Sequence, residues 1–224
     1  MHKNLLFGSA FLAVSLSLTG CGGSSNSNQA QYSLKIKNIT AAQPMSPLAV
    51  VAHSSGYNLF TVGSSSSIEL EKLAEGGDNS LVINTVNTNI EQTKSSSALL
   101  TPGSVQDINI TSNAKYISLS TMLVNTNDAF TGLNSYDVSA IGVGKSVEIN
   151  LIAYDAGTEN NSETAQNVPG LGGEGFNSNR DDTNSLVRVH SGVITADDGL
   201  NRSGLTSIHK FENPVATVII TRIK

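Results

Sequence analysis

Tyr32-Ser33-Leu34-Lys35-Ile36-Lys37 alternates a large apolar or aromatic residue with a polar one at every step. A period of two marks a strand with one face against a core and the other in water. Comparable strand patterns return at 48–53, 58–62, 80–86, 105–111, 116–124, 146–154, 186–190 and 215–223. Clusters of Asn, Gly, Ser and Pro separate them, as at Asn125-Thr126-Asn127-Asp128 and Asn177-Ser178-Asn179, and supply turn chemistry. About nine strands joined this way predict an all-β fold, an antiparallel sandwich. One short helix breaks the pattern. Ser67 caps residues 68–75, Glu69 and Glu71 suit the positive end of its dipole, and Gly76 closes it.

Outward from this core, the N-terminus reads as an export signal. Lys3 precedes an apolar run over residues 5–18, about 14 residues and roughly 21 Å as a helix, too short for a ~30 Å hydrocarbon core. Leu18-Thr19-Gly20-Cys21 follows and resembles the lipobox of bacterial lipoproteins, in which the thiol takes the lipid. Cys21 is the only cysteine, so no intramolecular disulfide can form, and lipidation removes an otherwise exposed thiol. Residues 1–20 are thus expected to be a lipoprotein signal peptide and 21–31 a lipidated cysteine with a flexible tether. Residues 32–224 form the domain. The tether (GGSSNSNQAQ) has too little apolar surface to order itself. Gly22, where a retention signal would place Asp, favours the outer membrane.

Charged residues make up 14% of the chain and the formal net charge is −5. That leaves no basic surface for nucleic acid and no polybasic segment for anionic lipid, so contact with the membrane rests on Cys21. Gly142-Val143-Gly144-Lys145-Ser146 imitates the end of a phosphate loop, but Ser139 stands where the motif requires glycine and a strand pattern follows. Gly170-Leu171-Gly172-Gly173-Glu174-Gly175 fits GxGxxG literally, yet lies between Pro169 and an Asn-rich loop. GxSxG, HExxH and paired cysteines are missing, and His53, His190 and His209 have no ligand spacing, so no enzyme is expected.

Two strand ends carry carboxylates. The pattern at 116–124 runs into Asn125-Thr126-Asn127-Asp128, and that at 146–154 into Asp155-Ala156-Gly157-Thr158-Glu159. Carboxylate, amide and carbonyl oxygens on irregular loops are the hard ligands that Ca²⁺ gathers six to eight at a time. The same residue types are also ordinary turn formers.

Met122-Leu123-Val124-Asn125-Thr126-Asn127-Asp128-Ala129-Phe130-Thr131-Gly132-Leu133, followed by Tyr154-Asp155-Ala156-Gly157-Thr158-Glu159, resembles the two signatures of the spondin N-terminal domain. The likeness extends to Leu34-Lys35-Ile36-Lys37-Asn38-Ile39-Thr40 near the start and to Asn213-Pro214-Val215-Ala216-Thr217-Val218 near the end. The resemblance implies an eight-stranded antiparallel β-sandwich with a divalent cation of the Ca²⁺ type between loops at one end. It places the metal ligands at Asp128 and Asp155, with a third at Asn109, where animal members carry glutamate. Glu159 is an additional candidate. A simple hairpin closing at 112–115 would pair Asn109 with Ser118. The expected role is a membrane-anchored envelope lipoprotein, a binding or adhesion module for an extracellular or envelope protein or glycan. The alternatives are a structural envelope protein without ligand and a metal-assisted enzyme on envelope polysaccharide or lipid.

Overall fold

The computed structural model describes residues 29–182 and 184–224, so Cys21 and the expected signal segment lie outside the described residues. The alternation at the start of the domain becomes β1 (Gln31–Asn38), in which Tyr32, Leu34, Ile36 and Asn38 are buried and the residues between them face outward. β2 (Ala49–His53) is buried at every position. Helix α1 (Ile68–Gly76) and the single turn α2 (Ser80–Ile83) follow. Then come β3 (Ile90–Ser95), β4 (Val105–Thr111), β5 (Tyr116–Met122) and β6 (Ala129–Asp137). β7 (Ser146–Leu151), β8 (Ala153–Asp155), β9 (Arg188–Val189) and β10 (Ala216–Arg222) complete the chain.

All the strand pairings are antiparallel and form two sheets, one ordered β4-β1-β10-β7 and the other β3-β2-β5-β6-β8-β9. The expected sandwich is therefore present, with ten strands among the described residues, two of them very short. Leu34, Ile36, Ile108, Ile110, Leu119, Val218 and Ile220 fill the space between the sheets. A second core lies on the far side of the six-stranded sheet, where Leu70, Leu73, Ala74 and Val82 of the helices cover Ala49, Val51 and Phe130. Two covered faces explain why β2 reads as a continuous apolar run where β1 alternates.

Helix α1 forms where its capping residues predict. Ser67 Oγ accepts from Leu70 N, and the left-handed closing residue is Gly77, one beyond the expected Gly76. Some local expectations fail. Residues 80–86 are not a strand: Ser80–Ile83 is helical and Val86 is fully exposed. Residues 58–62 form no strand either, although Leu59 and Phe60 are buried in the helix-side core. The expected β4–β5 hairpin is absent. β4 pairs with β1 and β5 with β2 and β6, so the 112–115 connection crosses between sheets. Ala30 is buried and Gln31 already belongs to β1, so the ordered domain begins within the last residues assigned to the tether.

The register gives a direct check. Ser33 and Asn109 are Cα partners, as are Val51 and Ser118. Directly opposed residues of an antiparallel pair lie within disulfide reach. In a Cys21→Ser background, Ser33→Cys with Asn109→Cys should cross-link under mild oxidation, whereas Asn109→Cys with Ser118→Cys should not. Gel mobility with and without reductant reads the result, and cross-linking of the second pair alone would overturn the topology.

Candidate metal site

β6 and β8 are neighbours, and their ladder sets Ala129 opposite Asp155 and Phe130 opposite Tyr154. Asp128, immediately before β6, therefore meets the end of β8, from which the Ala156-Gly157-Thr158-Glu159 turn departs. Thr126 shapes the first loop, since its hydroxyl donates to Leu123 O and accepts from Ala129 N. Gly157 shapes the second. It has φ +70°, and a Cβ there would lie 2.5 Å from Leu186 N and O, so both the conformation and the close approach require glycine.

Asp128 is fully buried. Its Oδ2 accepts from Thr158 N at 2.8 Å, Glu159 N at 3.1 Å and Thr158 Oγ1 at 3.2 Å, whereas the buried Oδ1 has no partner. Asp155 is better supplied. Oδ1 accepts from Gly157 N at 2.8 Å, and Oδ2 accepts from Asn161 Nδ2 at 2.9 Å and Arg188 Nη2 at 2.8 Å. Asn161 Oδ1, Glu163 Oε2 and, on the helix side, Glu75 Oε1 are also buried without a partner.

The buried acids among the described residues are Glu71, Glu75, Asp128, Asp155, Glu159 and Glu163, and they gather around these loops. Glu71 is neutralised by Arg180, while Glu75 Oε2 accepts from Asn177 N. Burial, reinforced by Asp155, pushes Asp128 up to about 7. Burial together with Glu75, Asp128 and Asp181 pushes Glu159 up to about 8, and burial pushes Glu163 up to about 7. Loss of hydration dominates each shift, since a charge taken out of water is costly without a counter-charge.

The sequence-derived ligands divide. Asp128 and Asp155 come together. Asn109 does not join them: it is exposed on β4, in the four-stranded sheet, opposite Ser33. The sheet crossing after β4 removes it from the loop pole that holds the two aspartates. Glu159 lies beside Asp128 through its own backbone N–H and through mutual repulsion. Glu75, Asn161, Glu163 and Arg188 went unrecognised. Glu75 read as a helix acid and Arg188 as part of a strand pattern, and only the tertiary fold brings them here.

The donors are all oxygens, which suits a hard cation and not zinc or copper. Among the described residues no three His, Cys, Asp or Glu side chains are grouped to hold an ion alone. The residues that could contribute to a mixed donor set are Asp128 through its unpartnered Oδ1, Asp155, and Asn161 through its unpartnered amide oxygen. The histidines lie in separate settings. His53 bonds to Ser118 Oγ and Ser54 O, buried His190 accepts from Gly192 N, and His209 accepts from Thr206 N. The GxGxxG stretch is a packed turn whose Gly170 sits against Asn125 and whose Gly173 sits against residues 165 and 166.

The raised acids predict an unusual pH response. Their folded values lie near 7 to 8, above the ~4 of exposed carboxyls, so the stability they contribute is full below about pH 4 and is lost as pH rises through 7 to 8. In chelator, the urea midpoint should fall between pH 5 and pH 8; a midpoint that rises across that interval would contradict the burial described.

The model of the Spondin_N family, the spondin N-terminal domain, matches residues 27–172, more than half of the chain. Comparison with curated proteins gives no match. The chain belongs to the spondin N-terminal domain family. The matched span contains Asp128, Asp155 and Glu159 and ends before β9 and β10.

Proposed function

We propose that this spondin N-terminal domain is a binding module of the cell envelope, of the adhesion type, whose loop pole is braced by a divalent cation of the calcium kind between Asp128 and Asp155. The observation that carries the reading is Asp128 Oδ1, a buried carboxylate oxygen without a partner beside a second buried aspartate. A cation would satisfy that oxygen and offset both the burial and the repulsion from Asp155 that raise Asp128. Asn161 Oδ1 offers a further donor. The ion's contribution is structural: it ties the turn ahead of β6 to the turn after β8 and so fixes the surface that those loops present. Family membership supports the binding role, although a fold does not by itself fix a function.

Few charged ligands place such a site toward the weaker extracellular range, roughly 10⁻⁴ to 10⁻³ M. At ~10 mM Ca²⁺, binding to the folded state then adds about 1.4–2.7 kcal/mol, or roughly 3–10 °C in Tm for a domain of this size. Thermal melts with and without Ca²⁺ should show that rise. It should disappear in Asp155→Ala and Asp128→Asn; persistence in both variants would sink the assignment.

The same proposal carries the chain at a membrane, the outer membrane, through lipid on Cys21. Support comes from the Leu18-Thr19-Gly20-Cys21 motif behind an apolar segment too short to span. Labelled fatty acid should enter the wild-type chain and not Cys21→Ser, which should move from the membrane to the soluble fraction. A Cys21→Ser chain that stays membrane-bound and labelled would refute the anchor.

A further inference from the structure

Asp155 differs from Asp128 in one respect: it already has a cation. Arg188 is its cross-strand partner in the β8–β9 ladder, so backbone register delivers the guanidinium to the carboxylate. Nη2 of Arg188 lies 2.8 Å from Asp155 Oδ2 and 2.6 Å from Asp182 Oδ2, a single nitrogen shared between two acids. Asp155 Oδ1 is taken by Gly157 N. A divalent cation that bridged Asp155 and Asp128 would have to compete with that guanidinium for Oδ2 or draw on an oxygen that already accepts a hydrogen bond.

Arg188 is also placed to yield. Its side chain is 34% exposed, and Asp182 provides a second carboxylate that remains available if Asp155 is surrendered. Asp182 is itself held by the backbone N–H groups of Asn184 and Ser185, so it forms a fixed receiving point. Arg188 lies beyond residue 172, where the family match ends.

We propose that Arg188 is the resident counter-ion of the site, which neutralises Asp155 in the cation-free protein and withdraws onto Asp182 when a divalent cation bridges Asp155 and Asp128. The proposal rests on the cation reading above and adds what sets its threshold. Part of the binding free energy is spent on separating Arg188 from Asp155, so the arginine weakens cation affinity. It keeps the loop pole folded when cation is scarce, because a buried aspartate with neither partner would be strongly unfavourable. It also links occupancy to the edge strand β9, which carries exposed Val189 beside Arg188.

Calorimetric titration of CaCl₂ into the full chain in detergent, with Arg188→Gln and Arg188→Lys alongside, tests the proposal. Arg188→Gln should bind at least tenfold more tightly than wild type, and Arg188→Lys, which retains the charge, within about threefold of it. Equal or weaker binding by a folded Arg188→Gln overturns the proposal and makes the arginine a strut that orients Asp155. If that variant does not fold, the unmutated chain with ¹⁵N-arginine decides. At saturating Ca²⁺ the guanidinium resonances of Arg188 should shift while those of Arg180, paired with Glu71, stay fixed; an unmoved Arg188 overturns the proposal. Wild-type binding with an unchanged Arg188→Gln defeats this inference alone, whereas no binding in either chain defeats the cation reading with it.

Discussion

The antiparallel pairing of β6 with β8 is the constraint from which the site follows. Three residues of ladder place Ala129 against Asp155, and that register brings two loops, 27 positions apart from Asp128 to Asp155, to a shared pole. Once there, both carboxylates are buried. Burial converts ordinary turn formers into groups that require a donor, a proton or a counter-charge. The backbone of the Thr158–Glu159 turn provides donors for one oxygen of Asp128, and Arg188 provides charge for Asp155. Among the described residues, the buried side-chain oxygens left without a partner are those of Glu75, Asp128, Asn161 and Glu163, together with Gln106 on β4.

Much of the frame was legible because it obeys the simplest rule of strand chemistry. β1 and β4 have one dry face and one wet face, and their alternation announces them residue by residue. β2 and β5 are covered on both sides; β2 reads as an apolar run, whereas β5 still alternates because Ser118 and Ser120 are buried along with its apolar residues. β3 (Ile90–Ser95) escaped because Glu91, Gln92, Thr93 and Lys94 offer little apolar contrast at a sheet edge. β6 escaped because Thr131, Gly132 and Asn134 resemble turn residues, although Gly132 is required by the close approach of Leu119 O. The apolar residues 81–83 pack as one helical turn against α1 and the sheet, a tertiary outcome that their short pattern cannot distinguish from a strand.

The site was legible to the extent that a local motif carried it. Asp128 and Asp155 sit in recognisable turns, and the fold joins them. Asn109 was placed by an ungapped count against the family's glutamate, and the strand that carries it, β4, belongs to the other sheet, where Asn109 faces Ser33. Glu75 and Arg188 come from a helix and from a two-residue strand far along the chain, and no spacing links either to Asp128. Long-range electrostatic partners of this kind depend on the completed fold and leave no periodic trace.

The placement of β1 has a mechanical meaning. Gln31, where the chain enters the domain, pairs near the ends of β4 and β10 that lie farthest from the acidic loops, while Asn38, seven residues on, reaches the Gln43 and Asn125 network beside Asp128. Entry and loop pole are thus separated by the strand's length, roughly 25 Å at ~3.3 Å per residue. Tension applied ahead of Gln31, with the opposite pole gripped, would run along β1. Its rungs to both neighbours lie across that pull and would bear the load together in shear, a geometry that resists rupture far better than peeling one rung at a time.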